Sequence, residues 1–191
     1  TNSFVTWGTL TRRERQKVIL LSVWFFLTIA TLWVLKPIRN ASLLAHLGAA
    51  ELPYVRLATV VVVGLVVAAY SHVVDRLTRV NVARAACLAF AAVLVVFWAA
   101  LLARGEALGA QRWFVWSVFI LVDIYSTVMV GIFWTYTNDV VTPAEADRLY
   151  GPIGVGGTIG GIAGGAAVDS LLALVSAVAP PDSLDGAVRA F

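Results

Sequence analysis

Charge is what this chain has least of. Asp, Glu, Lys and Arg together make up 13% of its 191 residues, where a soluble domain carries about 25%. So few charges cannot cover a water-facing surface, which excludes an ordinary soluble globular protein. Cysteine is nearly absent too: Cys87 stands alone inside the apolar run 82–102. One thiol builds no disulfide framework, and within a span it is a small packing residue. The two histidines, His46 and His72, sit at the edges of apolar runs with no partner at metal-ligand spacing. No Ser/His/Asp or Cys/His set is present, which leaves an integral membrane enzyme without machinery. The sequence carries no cofactor-binding pattern. The net charge of +3 comes from scattered basic residues beside apolar runs, a pattern set by membrane orientation and not by nucleic acid.

What the chain does have is apolar length. Sixty per cent of it is hydrophobic, gathered in five segments each near the ~20 residues that a bilayer requires. The segments are 18–35 (continuing past Pro37 to about Leu47), 54–72, 82–102, 113–136 and 149–178. In lipid a backbone must satisfy its own hydrogen bonds, so runs of this length are expected as helices. The short alternating strands of a membrane barrel are absent. The expected class is an all-α polytopic membrane protein. No small-residue cleavage site follows the first run, so it reads as a retained span and not a signal peptide.

The basic residues set the orientation. Arg12, Arg13, Arg15, Lys17, Arg76, Arg79, Arg84 and Arg148 fall on one side, against Arg56, Arg104, Arg112 and Arg189 on the other. This eight-to-four split predicts a cytoplasmic N-terminus. Residues 1–17 are then a cytoplasmic segment, 18–178 hold spans one to five, and 179–191 form an extracytoplasmic loop. Transporter folds are built from repeated three-helix units, so a sixth span and a second half are expected to follow.

One charge interrupts the fourth segment. Asp123 is the only charged residue between Arg112 and Asn138. A carboxylate at bilayer depth costs roughly 2.5–3.5 kcal/mol on insertion scales, so it needs a partner or a purpose. Lys36 and Arg39 are candidate partners, because the apolar residues 41–47 continue beyond them. If the first helix runs through a kink at Pro37, these two cations share one face. Such a pair suits an anionic solute. Thr127 falls on the Asp123 face, Asn138 lies on the same span, and Tyr125 points elsewhere. Tyr125 and Trp134 read as packing or lipid-facing aromatics.

Two further segments stand out. The stretch 71–79 is a short basic connection, and its spacing resembles the conformational lock loop of the major facilitator superfamily. Asp75, Arg76 and Arg79 are the matching positions, with Ser71 and Thr78 replacing both glycines. The stretch 151–165 holds eight of the chain's fifteen glycines. No Gly-Lys-Ser/Thr follows, and Ile159 breaks the dinucleotide pattern. Gly156, Gly160 and Gly164 are spaced by four, as are Gly157, Gly161 and Gly165. That spacing predicts a small-residue face for close helix packing.

Several motifs together resemble one family. They are Leu35-Lys36-Pro37-Ile38-Arg39-Asn40, Ala50-Glu51-Leu52-Pro53, Phe133-Trp134 with Asn138-Asp139, and Glu145-Ala146-Asp147-Arg148-Leu149-Tyr150-Gly151-Pro152-Ile153-Gly154. The pattern resembles the ATP:ADP antiporters of plastids and intracellular bacteria, over about residues 18–167. The resemblance implies a major-facilitator-like fold of two six-helix halves, of which this chain would be most of the first. It implies nucleotide or related organic-anion exchange by alternating access, in a bacterial inner membrane. It implies a substrate site of Arg39, Lys36, Asp123, Thr127 and Asn138, with Asp75, Arg76 and Arg79 gating. Members that carry nucleotides have Lys and Glu where this chain has Arg39 and Asp123. The implied partners are membrane lipid, a nucleotide or other phosphate-bearing anion, the remaining half, and the soluble regulatory domains that some relatives carry. With such domains, a transport-inactive scaffold or sensor is the alternative.

Overall fold

In a computed structural model, residues 10–74 and 78–178 are described. Six helices occupy them: α1 (Arg12–Leu47), α2 (Leu52–Val74), α3 (Arg79–Arg104), the single turn α4 (Glu106–Gly109), α5 (Arg112–Val140) and α6 (Pro143–Val178). A 3-10 turn, Ala49–Glu51, joins α1 to α2. No strand occurs among the described residues. Every helix except α4 is long and apolar enough to cross a membrane.

The first helix begins on a capping box. Thr11 accepts a hydrogen bond from the Glu14 amide at 3.3 Å, and Glu14 Oε2 accepts one from the Thr11 amide at 2.7 Å. The reciprocal pair satisfies two amide groups that a helix start leaves open. The 36 residues of α1 extend about 54 Å, well beyond a hydrocarbon core of about 30 Å. The helix therefore crosses at a tilt or stands out of the bilayer. It runs through Pro37, where the ring removes one backbone hydrogen bond. It stops at Gly48, whose φ of 79° suits a residue without a Cβ, and whose amide donates to the carbonyls of Leu43 and Leu44.

Helix α5 is the centre of the bundle, packed against α1, α2 and α3. α2 and α3 each lean on α5 more than on each other. Their outward residues, among them Leu57, Val60, Leu65, Leu88, Val96 and Leu102, are largely exposed. Such a surface is at home against lipid and not against water.

The closest approach is between α1 and α6, which run parallel. A Cβ on Gly156, Gly160 or Gly164 would collide with the main chain at Ser22, Phe26 or Ala30, in that order. Each step of four on α6 meets a step of four on α1, so the two backbones touch along two turns. On the adjoining row, a Cβ at Gly157 would strike the ring of Phe25, and one at Gly161 would come within 3.1 Å of Trp33 Nε1. The glycine spacing thus has a specific partner, the face of α1 between Ser22 and Trp33.

Candidate functional site

Asp123 lies 11 residues from Arg112 and 17 from Val140, the two ends of α5. At 1.5 Å per residue these are about 16 and 25 Å, which puts the carboxylate inside the hydrocarbon depth. Arg39 of α1 forms an ion pair with it, Nη1 to Oδ1. The same Nη1 donates to the carbonyl of Phe119 at 3.3 Å, and the guanidinium carbon lies 4.2 Å from the Phe119 ring centroid. The Arg39 side chain retains 11% of its exposure and the Asp123 side chain 24%. A cation stacked on a ring and paired to a carboxylate is well held at low dielectric.

Two apolar clusters bracket this pair. Leu43, Val55, Val115 and Phe119 lie toward the α1–α2 turn. Leu32, Tyr125 and Met129 lie on the other side. The charges are therefore confined between packed layers, with a partly open flank. Arg39 Nε is buried without a hydrogen-bond partner. A guanidinium offers five donors in a fork, and here one nitrogen carries the contacts with protein. The idle donors have the geometry that recognises phosphate or carboxylate oxygens.

The other sequence candidates are placed differently. Lys36 is exposed and makes no ion pair with any described residue. The three-residue offset turns it about 60° around α1 from Arg39, onto the rim. Thr127 is exposed, and its hydroxyl donates to the Asp123 carbonyl at 3.0 Å within its own helix. Ser126 donates to the same carbonyl at 3.3 Å. Asn138 lies about 22 Å further along α5, where its Oδ1 accepts from Tyr150 at 2.8 Å. Tyr125 is buried in the core, and its hydroxyl donates to the Thr28 carbonyl at 3.4 Å. Asp75 and Arg76 lie outside the described residues, and Arg79 begins α3. Among the described residues no His, Cys, Asp and Glu cluster could hold a metal.

Three further ion pairs do not follow from sequence reading. Arg112 meets Glu51 at 3.1 Å and lies 5.1 Å from the centroid of Trp116, near the α1–α2 turn. At the opposite end, Lys17 meets Glu145 at 2.9 Å, and Arg148 meets Glu14 at 3.1 Å. Lys17 also donates to the carbonyl of Val140 at 3.0 Å, and Glu145 accepts from the amide and hydroxyl of Thr142. One lysine thereby joins the start of α1, the end of α5 and the start of α6. The available signal was the set of opposite charges near the beginnings of the first and fifth spans.

Five membrane-length helices around an intramembrane ion pair define a polytopic helical membrane protein. Residues 99–183 match the family model of the TLC ATP/ADP transporter. That stretch carries the sequence pattern of the transporter family the motifs resemble, and it includes α5 with Asp123 and all of α6. No curated protein and no solved structure matches the chain.

Proposed function

We propose that this chain is the N-terminal half of a major-facilitator-like nucleotide carrier. It exchanges ATP/ADP-type nucleotides, or related organic anions, by alternating access in a bacterial inner membrane, with its N-terminus in the cytoplasm. The observation that carries the reading is the Arg39–Asp123 pair, set between apolar layers with Arg39 Nε buried and without a hydrogen-bond partner. The family match over residues 99–183 supports the substrate class. In the empty carrier Asp123 holds the guanidinium. An incoming phosphate competes for Arg39 and releases Asp123, so substrate binding changes a contact between α1 and α5. Arg keeps the positive charge and adds a planar fork suited to phosphate oxygens. Lys36, on the rim, adds a second positive charge beside the entry to the pair.

The test is exchange of labelled ATP against ADP in proteoliposomes of the full-length protein. Arg39→Ala abolishes exchange under this reading. Exchange at the wild-type rate in that variant would remove Arg39 from the substrate site.

A further inference from the structure

One face of α5 carries more than the ion pair. Asp123, Thr127, Trp134 and Asn138 fall within roughly 60° of one another around the helix axis at 3.6 residues per turn. Thr127, Trp134 and Asn138 are exposed and Asp123 is partly so. Trp134 lies about 16 Å along the helix from Asp123.

Three rings hold Trp134 in place. Phe25, Phe133 and Tyr150 meet it edge-on, at centroid distances of 5.6, 5.3 and 6.1 Å. Phe25 is itself stacked on Phe133 at 4.3 Å, over the bare backbone of Gly157. Despite these neighbours, 36% of Trp134 stays exposed. On the same helix a Cβ at Gly131, three residues before Trp134, would meet no atom within 4 Å, and the same holds at Gly154 of α6, four residues after Tyr150. Asn138 is fixed through its Oδ1 by the Tyr150 hydroxyl, which leaves its amide N–H groups to donate outward.

An exposed tryptophan near the end of a span is often an interfacial anchor. This one shares its face with a carboxylate, a hydroxyl and an amide. Lipid does not favour such a stripe, whereas a polar path does. A held indole with an adjacent oriented amide is chemistry that stacks and hydrogen-bonds a planar heteroaromatic ring.

We infer that Trp134, Asn138 and Tyr150 form a subsite for the nucleobase of a ligand whose phosphates reach toward Arg39. The inference rests on the anion-site reading above and adds where the ring end of the substrate binds.

Binding of ATP and of inorganic tripolyphosphate to the full-length protein in proteoliposomes separates the two. Trp134→Ala weakens ATP binding about ten- to a hundredfold, the range of a lost base–aromatic stack, and leaves tripolyphosphate binding unchanged. Asn138→Ala weakens ATP severalfold with the same selectivity, and serves if the tryptophan variant does not fold. Equal losses for both ligands would make Trp134 a structural residue and overturn the subsite. Wild-type protein that holds tripolyphosphate as tightly as ATP would also overturn it, leaving the Arg39 site standing. Arg39→Ala weakens both ligands; unchanged tripolyphosphate binding in that variant would instead overturn the anion site.

Discussion

Lys17 reaches both carboxylate oxygens of Glu145, at 3.0 and 2.9 Å, across 128 positions of sequence. With Lys17 also bound to the Val140 carbonyl, the contact ties three helix ends at one point. The side chains retain 28% and 18% exposure, so solvent screens the pair only in part. Lys17→Met and Glu145→Gln should each lower the melting temperature of the detergent-solubilised protein. A double-mutant cycle should give a coupling of about 1 kcal/mol. Strict additivity of the two losses would show that the contact contributes nothing.

The glycines of α6 divide into two groups that thermal unfolding can tell apart. Gly160→Ala drives a methyl group into the carbonyl of Phe26 and should cost about 1–3 kcal/mol through overpacking. At Gly154 a Cβ meets nothing within 4 Å, and alanine there gains helix propensity of up to about 1 kcal/mol. Gly154→Ala should therefore be neutral or stabilising. The same loss at both positions would mean that the close approach of α1 and α6 does not depend on the missing side chains.

Stability and transport can be separated at the intramembrane pair. Removing one partner of a buried pair costs up to about 3–5 kcal/mol, and the partial opening of Asp123 reduces that figure. Asp123→Leu strands the Arg39 charge and should lower the melting temperature sharply. The double variant Arg39→Met with Asp123→Leu should recover most of that stability, because neither charge is left unpaired. It should still carry no nucleotide in an exchange assay. Restored exchange in the double variant would make the pair purely structural.

Much of this architecture was legible in the sequence, for physical reasons that also explain the gaps. Five apolar runs of bilayer length leave a backbone few options other than helix. The ends were less legible: α1 starts at Arg12 and α6 at Pro143, both ahead of the apolar residues. Those first turns are stabilised by polar contacts at Thr11 with Glu14 and at Thr142 with Glu145, which a hydrophobicity reading passes over. Asp123 advertised its need for a partner because charge in an apolar run is costly. Whether Arg39 or Lys36 filled that need was beyond sequence, since a three-residue offset nearly shares a face and only packing against α5 separates them. Lys17, Glu145, Glu14 and Arg148 sit near the span ends, where a lone charge is cheap and gives no hint of its partner.

Pro37 divides α1 into two mechanical parts. The glycine contacts with α6 extend along α1 as far as Trp33, and the proline ring leaves the carbonyl of that same Trp33 without its helical amide. Below this joint the helix is clamped. Above it lies the arm that carries Arg39. Bending costs least where the ladder already lacks a rung, so any tilt of this arm against α5 would turn about Pro37. The fulcrum is thus built into the chain two residues before Arg39, about half a turn ahead of the charge that the substrate would move.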